Sequence, residues 1–197
     1  MAACLLSGFH LRLAVTGSGA HQLKEDSTLN IWKCSVCELL MINKEAPGGC
    51  TVCGATSDKF KIREDSADVS GTATENNLKR AFAGESQVNR RYLLFAKIAE
   101  QESDEIAEDL FLKFAFEETW HALAHLLYLR GTKTTNDNIL ESIEGELFES
   151  QKMYKDFEAK AREEGFDDIA KFFGYLAKAE GRHSAKFKEY LEMRGDK

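Results

Sequence analysis

Two stretches decide the fold: Glu117-Glu118-Thr119-Trp120-His121 and Ala179-Glu180-Gly181-Arg182-His183. In each, a glutamate and a histidine stand three residues apart, so on a helix both side chains project from one face toward the same point. One Glu-x-x-His alone proves little, because polar neighbours on a helix surface pair routinely. The residues around the two pairs change that. Phe111, Phe114, Glu118, His121 and His125 recur at steps of three and four, as do Phe173, Leu176, Glu180, His183 and Phe187. Two further stripes have the same spacing: Phe82, Glu85, Asn89, Tyr92 and Ala96, and Ile139, Ile143, Glu146, Ser150 and Met153. Four apolar stripes, each interrupted near its middle by a glutamate, predict a mainly α protein built on a four-helix bundle over residues 75–194.

The punctuation divides that region. Thr72, three residues before Glu75, reads as a capping box opening the first helix. Ser103 with Asp104 and Glu105 ends that helix and caps the second, which stops at Gly131. The run Thr132-Lys-Thr-Thr-Asn-Asp-Asn138 reads as a loop. The third helix is predicted from about Asn138 to Glu164 with Gly165 as its C-terminal cap, and Asp167 opens a fourth that ends near Gly195.

Ionised carboxylates in a dry core are costly unless they are paired or coordinate a metal. Two Glu-x-x-His helices, with one inward glutamate from each of the other two, form the ligand set of carboxylate-bridged di-metal bundles. Here the set is Glu85, Glu118, His121, Glu146, Glu180 and His183. Oxygen and imidazole donors suit iron or manganese, and the donor set alone leaves zinc open. His125 lies about 6 Å beyond His121 along the helix axis, and reads as a core or supporting residue.

Ahead of the helices, Cys34-x-x-Cys37 and Cys50-x-x-Cys53 form two knuckles able to place four thiolates around one metal. Pro47, Gly48 and Gly49 shape the entry to the second knuckle, and Trp32 and Phe60 are aromatics placed to cover the metal. A disulfide pair and structural zinc are the alternatives to iron. The choice matters, because iron in such a site carries electrons and zinc does not. Attachment to a di-metal bundle favours iron. Cys4 is left over.

The chain of 197 residues, with 43% hydrophobic and 30% charged residues, is long enough for a core. A net charge of −7 gives no electrostatic basis for binding nucleic acid. No stretch has the apolar length of a membrane span. Residues 1–27 read as an extension, disordered or targeting, so the expected compartment is the cytoplasm, or an organelle if the extension is a transit peptide. Residues 28–60 form the cysteine domain, and the polar stretch 61–74 a linker.

Several local motifs resemble the rubrerythrin family. Ala81-Phe-Ala-Gly-Glu-Ser86 with Tyr92 is similar to that family's first bundle helix. Gly145-Glu-x-x-Glu149 with Tyr154 and Ala161-Arg-Glu-Glu-Gly165 is similar to its third, Ala179-Glu-x-x-His183 to its fourth, and Trp32-Lys-Cys-x-x-Cys37 to its rubredoxin-like domain. The module order here, cysteines first, resembles the reversed-order rubrerythrins. The resemblance implies a seventh ligand, Glu149, which exchanges with His121 at one iron, and it implies that Tyr92 and Tyr154 hydrogen-bond to carboxylate ligands. It further implies a mononuclear Cys4 iron, a di-iron (Fe–O–Fe) site, and reduction of hydrogen peroxide in oxidative-stress defence. Electrons would come from an external donor such as an NAD(P)H-dependent reductase or a rubredoxin, and would cross between subunits of a head-to-tail homodimer. Nothing in the chain resembles a dinucleotide-binding loop. Two rival readings are a ferritin-like ferroxidase and a non-catalytic zinc module.

Overall fold

A computed structural model describes residues 30–64, 68–130 and 133–195. The expectations for residues 1–27, Cys4 among them, lie outside the described residues.

The cysteine segment forms a three-stranded antiparallel sheet of β1 (Asn30–Cys34), β2 (Leu40–Asn43) and β3 (Phe60–Ile62), in the order β2-β1-β3. Trp32 pairs with Met41 on one side and Ile62 on the other. Its indole Nε1 donates to Asn43 O at 3.0 Å. The two knuckles repeat one local geometry. Glu38 N donates to Cys34 O at 2.9 Å and Gly54 N to Cys50 O at 3.0 Å. Both fifth residues sit in the left-handed region, Glu38 at φ 65° and Gly54 at φ 70°, which costs glycine nothing and strains the glutamate.

The remainder is helical, as the stripes predict: α1 (Ala73–Glu102), α2 (Glu105–Arg130), α3 (Thr135–Phe148), α4 (Tyr154–Glu163) and α5 (Asp167–Arg194). Thr72 Oγ1 accepts from Glu75 N, and the Glu75 carboxylate reaches Gly71 N at 2.7 Å, so the cap forms one residue wider than a strict capping box. Ser103 closes α1 in the left-handed region, and Asp104 Oδ1 accepts from Ala107 N to open α2. Gly165, at φ +83°, ends α4, with Phe166 N reaching back to Ala161 O.

The third helix departs from expectation at two points. It begins at Thr135 rather than Asn138, because Thr134 and Asp137 form a reciprocal capping box that turns the polar run 135–138 into a first helical turn. It is also not continuous to Glu164. A π-helical segment, Glu149–Met153, separates α3 from α4.

The helices of the bundle are arranged as two antiparallel hairpins. One is α1 along α2; the other is α3, the π segment and α4 along α5. Among the described residues, no helix of one hairpin packs along a helix of the other. Small residues form both hairpin interfaces: Asn89, Ala96, Ala115 and Ala122 in the first, Ala161, Ala170, Ala177 and Ser184 in the second. Asn89 Nδ2 donates to Ala115 O at 2.6 Å and to Thr119 Oγ1 at 2.9 Å, which satisfies its burial. A methyl group at Gly181 would lie 3.0 Å from Ser150 Oγ, so α5 approaches the π segment closely beside Glu180. The cysteine module packs on the C-terminal half of α2, where Ala124 and Leu127 join Leu39, Leu40, Met41 and Phe60 in one buried cluster. No helix is long and apolar enough to cross a membrane among the described residues.

Candidate metal centres

The two knuckles bring the four cysteine sulfurs within 4.8 Å of one another. Cys34 and Cys53 Sγ are 3.7 Å apart, and Cys37 and Cys50 Sγ 3.5 Å. A tetrahedron with metal–sulfur bonds of about 2.3 Å has edges near 3.8 Å, whereas a disulfide needs about 2.05 Å. All four are free thiols, which disposes of the disulfide alternative in this structure. Burial raises the Cys34 thiol, but the backbone N–H groups of Cys37 and Val36 and the neighbouring thiols outweigh it and bring the group down to about 7. Burial, with the adjoining thiols, pushes Cys37 up to about 12. Four thiols this close cannot all ionise without a cation among them. Phe60 is buried in the cluster beneath the site and Trp32 packs partly buried against it.

The glutamates and histidines gather in two groups of three. Glu85 of α1 meets Glu118 and His121 of α2, and Glu146 of α3 meets Glu180 and His183 of α5, each set with ligand atoms within 4.8 Å of one another. His121 Nδ1 lies 2.9 Å from Glu118 Oε2, and His183 Nδ1 lies 2.7 Å from Glu180 Oε2. These are the contacts that Glu-x-x-His spacing makes on one helix face. Glu85 is pushed up to about 7, first by its hydrogen bond to Glu118, then by burial and the Glu118 charge. Burial, then Glu180, raises Glu146. His121 Nε2 and Glu146 Oε2 are buried without hydrogen-bond partners. Each group therefore holds crowded carboxyls and a buried atom that makes no hydrogen bond, Glu146 Oε2 having His183 Nδ1 3.5 Å away, the arrangement a cation relieves. The donors suit iron or manganese.

Glu149 belongs to neither group. It is half-buried at the first position of the π segment, and π segments recur at functional sites in helices. Tyr92 sits among Phe95, Phe111 and Phe114, with ring centroids 5.9–6.4 Å away. Tyr154 stacks with Phe157 and Phe173. Burial raises its hydroxyl, as do the charges of Glu149, Glu180 and Glu146, so it stands beside the second group. Neither tyrosine hydroxyl donates to a carboxylate among the described residues.

One feature of the site escaped the sequence reading. A cleft of about 330 Å³ is lined by Cys37, Glu38 and Val52 of the cysteine module and by Glu85, His121, His125 and Tyr128 of the helices. Tyr128 donates to Glu38 O at 2.7 Å, and the Arg63 guanidinium lies 5.1 Å from the Tyr128 ring centre. His125 is held down by burial and by His121, which favours the neutral imidazole. The periodicity places His125 on the ligand stripe, but it contains no signal that the cysteine module docks there.

Comparison with known proteins agrees with this geometry. The family model described as rubrerythrin matches residues 76–191, and the one described as rubrerythrin, rubredoxin-like domain, matches residues 32–61. A rubrerythrin of Porphyromonas gingivalis is 33% identical over 140 residues, 64% of this chain and 70% of that protein. One of Nitratidesulfovibrio vulgaris is 34% identical over 133 residues, 61% of this chain and 70% of that protein. Reverse rubrerythrin-1 of Clostridium acetobutylicum is 28% identical but aligns over 81% of this chain and 96% of its own length. That wider coverage is what a shared module order produces. The chain belongs to the rubrerythrin family, with its rubredoxin-like module ahead of its ferritin-like helices.

Proposed function

We propose that the protein is a peroxide reductase in which a Cys4 iron passes electrons to a di-iron site held by Glu85, Glu118, His121, Glu146, Glu180 and His183. The observation that carries this reading is the shared cleft: Cys37 of the thiolate cluster and His121 of the first carboxylate group line one space. A ferrous pair held by these carboxylates and histidines would supply the two electrons that, with two protons, convert one hydrogen peroxide to two water molecules. The residues do the rest. Glu118 Oε2 orients His121 through Nδ1, and Glu180 Oε2 does the same for His183. Neutral His125, on the cleft wall, is placed to relay a proton toward the site. Glu149, at the π segment, is the carboxylate whose helix geometry is free to change, which suits an exchange with His121.

Electrons arrive from an external donor, a nicotinamide-dependent reductase or a rubredoxin, at the exposed Cys53 of the cysteine module. They then pass to the Glu85, Glu118 and His121 group, which shares its cleft with the docked module. Ferritin-like iron storage gives the Cys4 module no role, and a structural zinc there leaves its docking against His121 unexplained. Cys50→Ser tests the relay. We expect a pre-reduced di-iron site in the variant to react with peroxide once at the wild-type rate, while steady turnover with an external donor stops. Steady turnover at the wild-type rate would rule the relay out.

A further inference from the structure

The contact that docks the cysteine module on α2 also reaches the thiolate cluster, through a single peptide group. Tyr128 of α2 donates from its hydroxyl to Glu38 O at 2.7 Å, a contact between residues 90 apart in the chain. The other end of that peptide is Leu39 N–H, which donates to the Cys37 sulfur. Phenol, amide and sulfur stand in one chain of hydrogen bonds. The sulfur at its end is the one that lines the cleft with His121.

Local geometry fixes both ends of this chain. Glu38 follows Cys37 in the left-handed region, as Gly54 follows Cys53 in the second knuckle, where Ala55 N–H donates to the Cys53 sulfur. The two knuckles thus make the same bond from an amide to a sulfur. Their surroundings differ: Cys53 and Gly54 are exposed, whereas Leu39 is buried and the Glu38 carbonyl is met by the phenol. The Arg63 guanidinium lies over the Tyr128 ring, 5.1 Å from its centre, and the ring packs against the buried cluster that joins module to helix. Tyr128 is held at its face and at its tip.

We infer that Tyr128 is a positioning residue that raises the reduction potential of the Cys4 centre through the Glu38–Leu39 peptide. A hydrogen bond accepted by an amide oxygen polarises the group and makes its N–H a stronger donor, by roughly 10–30% per bond. Reduction of a Cys4 iron adds negative charge that the sulfurs share, and hydrogen bonds donated to sulfur favour that reduced form. Tyr128 acts in this way on one sulfur of the four, the one nearest the carboxylate group in the shared cleft. The inference rests on the proposed Cys4 iron for its redox consequence, and it does not depend on peroxide reduction.

Tyr128→Phe removes the hydroxyl and keeps the ring beneath Arg63. In full-length, iron-loaded protein, potentiometric titration of the red Cys4 band should show the variant's equilibrium shifted about threefold toward the ferric form, about 30 mV lower for a one-electron couple at 59 mV per tenfold. A second readout is free of redox chemistry. With zinc in the Cys4 site, the Leu39 amide proton of the variant should move upfield in the NMR spectrum, while that of Ala55 keeps its position. An unchanged potential overturns the inference. So does a Leu39 amide that moves no more than Ala55, or one that moves only together with Leu40 and Met41, because the module would then have undocked. A lowered potential in protein that reacts sluggishly with peroxide overturns the peroxidase reading and leaves the role of Tyr128 standing.

Discussion

The cysteine module and the helical hairpins solve the same problem to different degrees. In the short module Leu40 and Cys34 are fully sealed from solvent, and Leu39, Met41 and Phe60 nearly so. In the much longer helical region the buried residues are chiefly alanines, and among the described residues the largest fully sealed side chain is Ser184. Phe114, Phe157, Phe172 and Ile169 remain more than a third exposed. The module closes because α2 supplies the one extra surface it lacks. A bundle helix, with an apolar stripe spanning two neighbours, needs a second helix pair, and among the described residues neither hairpin packs along the other to supply it. The four cysteine sulfurs therefore gather in one cluster, whereas the glutamates and histidines stand as two separate groups of three.

The comparison can be broken most sharply at Phe114. A charge there, Phe114→Asp, sits on an exposed face of α2 and would be desolvated once a helix pair covers it. We expect metal analysis to find the Cys4 metal retained and the metal pair lost. A variant that keeps both centres would show that the second centre does not need this face covered.

The converse change is in the module. Leu40→Ala removes a fully buried side chain and should cost about 2–5 kcal/mol of module stability, independent of protein concentration. Chemical denaturation followed through the Cys4 colour measures it. A loss that depends on concentration would mean the module is completed by a second copy.

A smaller effect separates the centres by pH. Glu85 is raised to about 7 and Glu146 is raised as well. A carboxyl whose folded pKa exceeds its unfolded value near 4.3 binds more protons when folded. Its stabilisation is present below the unfolded value and lost as pH rises through the folded one. The metal-free protein should therefore melt at progressively lower temperature from about pH 4.5 to 7, and the iron-loaded protein should not, because the metal replaces the protons. Parallel melting curves for the two forms would contradict this charge crowding.

Much of this architecture was legible in the sequence. The caps at Thr72, Ser103 with Asp104, and Gly165 have side chains or φ angles suited to helix ends, and those requirements are local. The glutamate-broken stripes likewise located the faces that gather into the two ligand groups. What periodicity does not encode is the supplier of the opposing face. The same stripe at Glu118 or Glu180 is satisfied by a helix of its own chain or by one of another copy, and spacing alone does not distinguish them. The start of α3 was misread because Thr135, Asn136 and Asp137 have low intrinsic helix preference, which the Thr134–Asp137 capping box overrides. The π segment at Glu149–Met153 carries no proline or glycine to announce it. His125 fits the ligand stripe by spacing, yet it lines the cleft beside the docked module.

The most direct test of the whole account is stopped-flow mixing of anaerobically reduced, iron-loaded protein with hydrogen peroxide, with the absorbance of both centres followed together. The account predicts that the di-iron band forms first and that the red ferric Cys4 band follows, at a rate that rises with peroxide concentration. Sluggish reaction with peroxide, with dioxygen instead driving iron oxidation and accumulation, would contradict it.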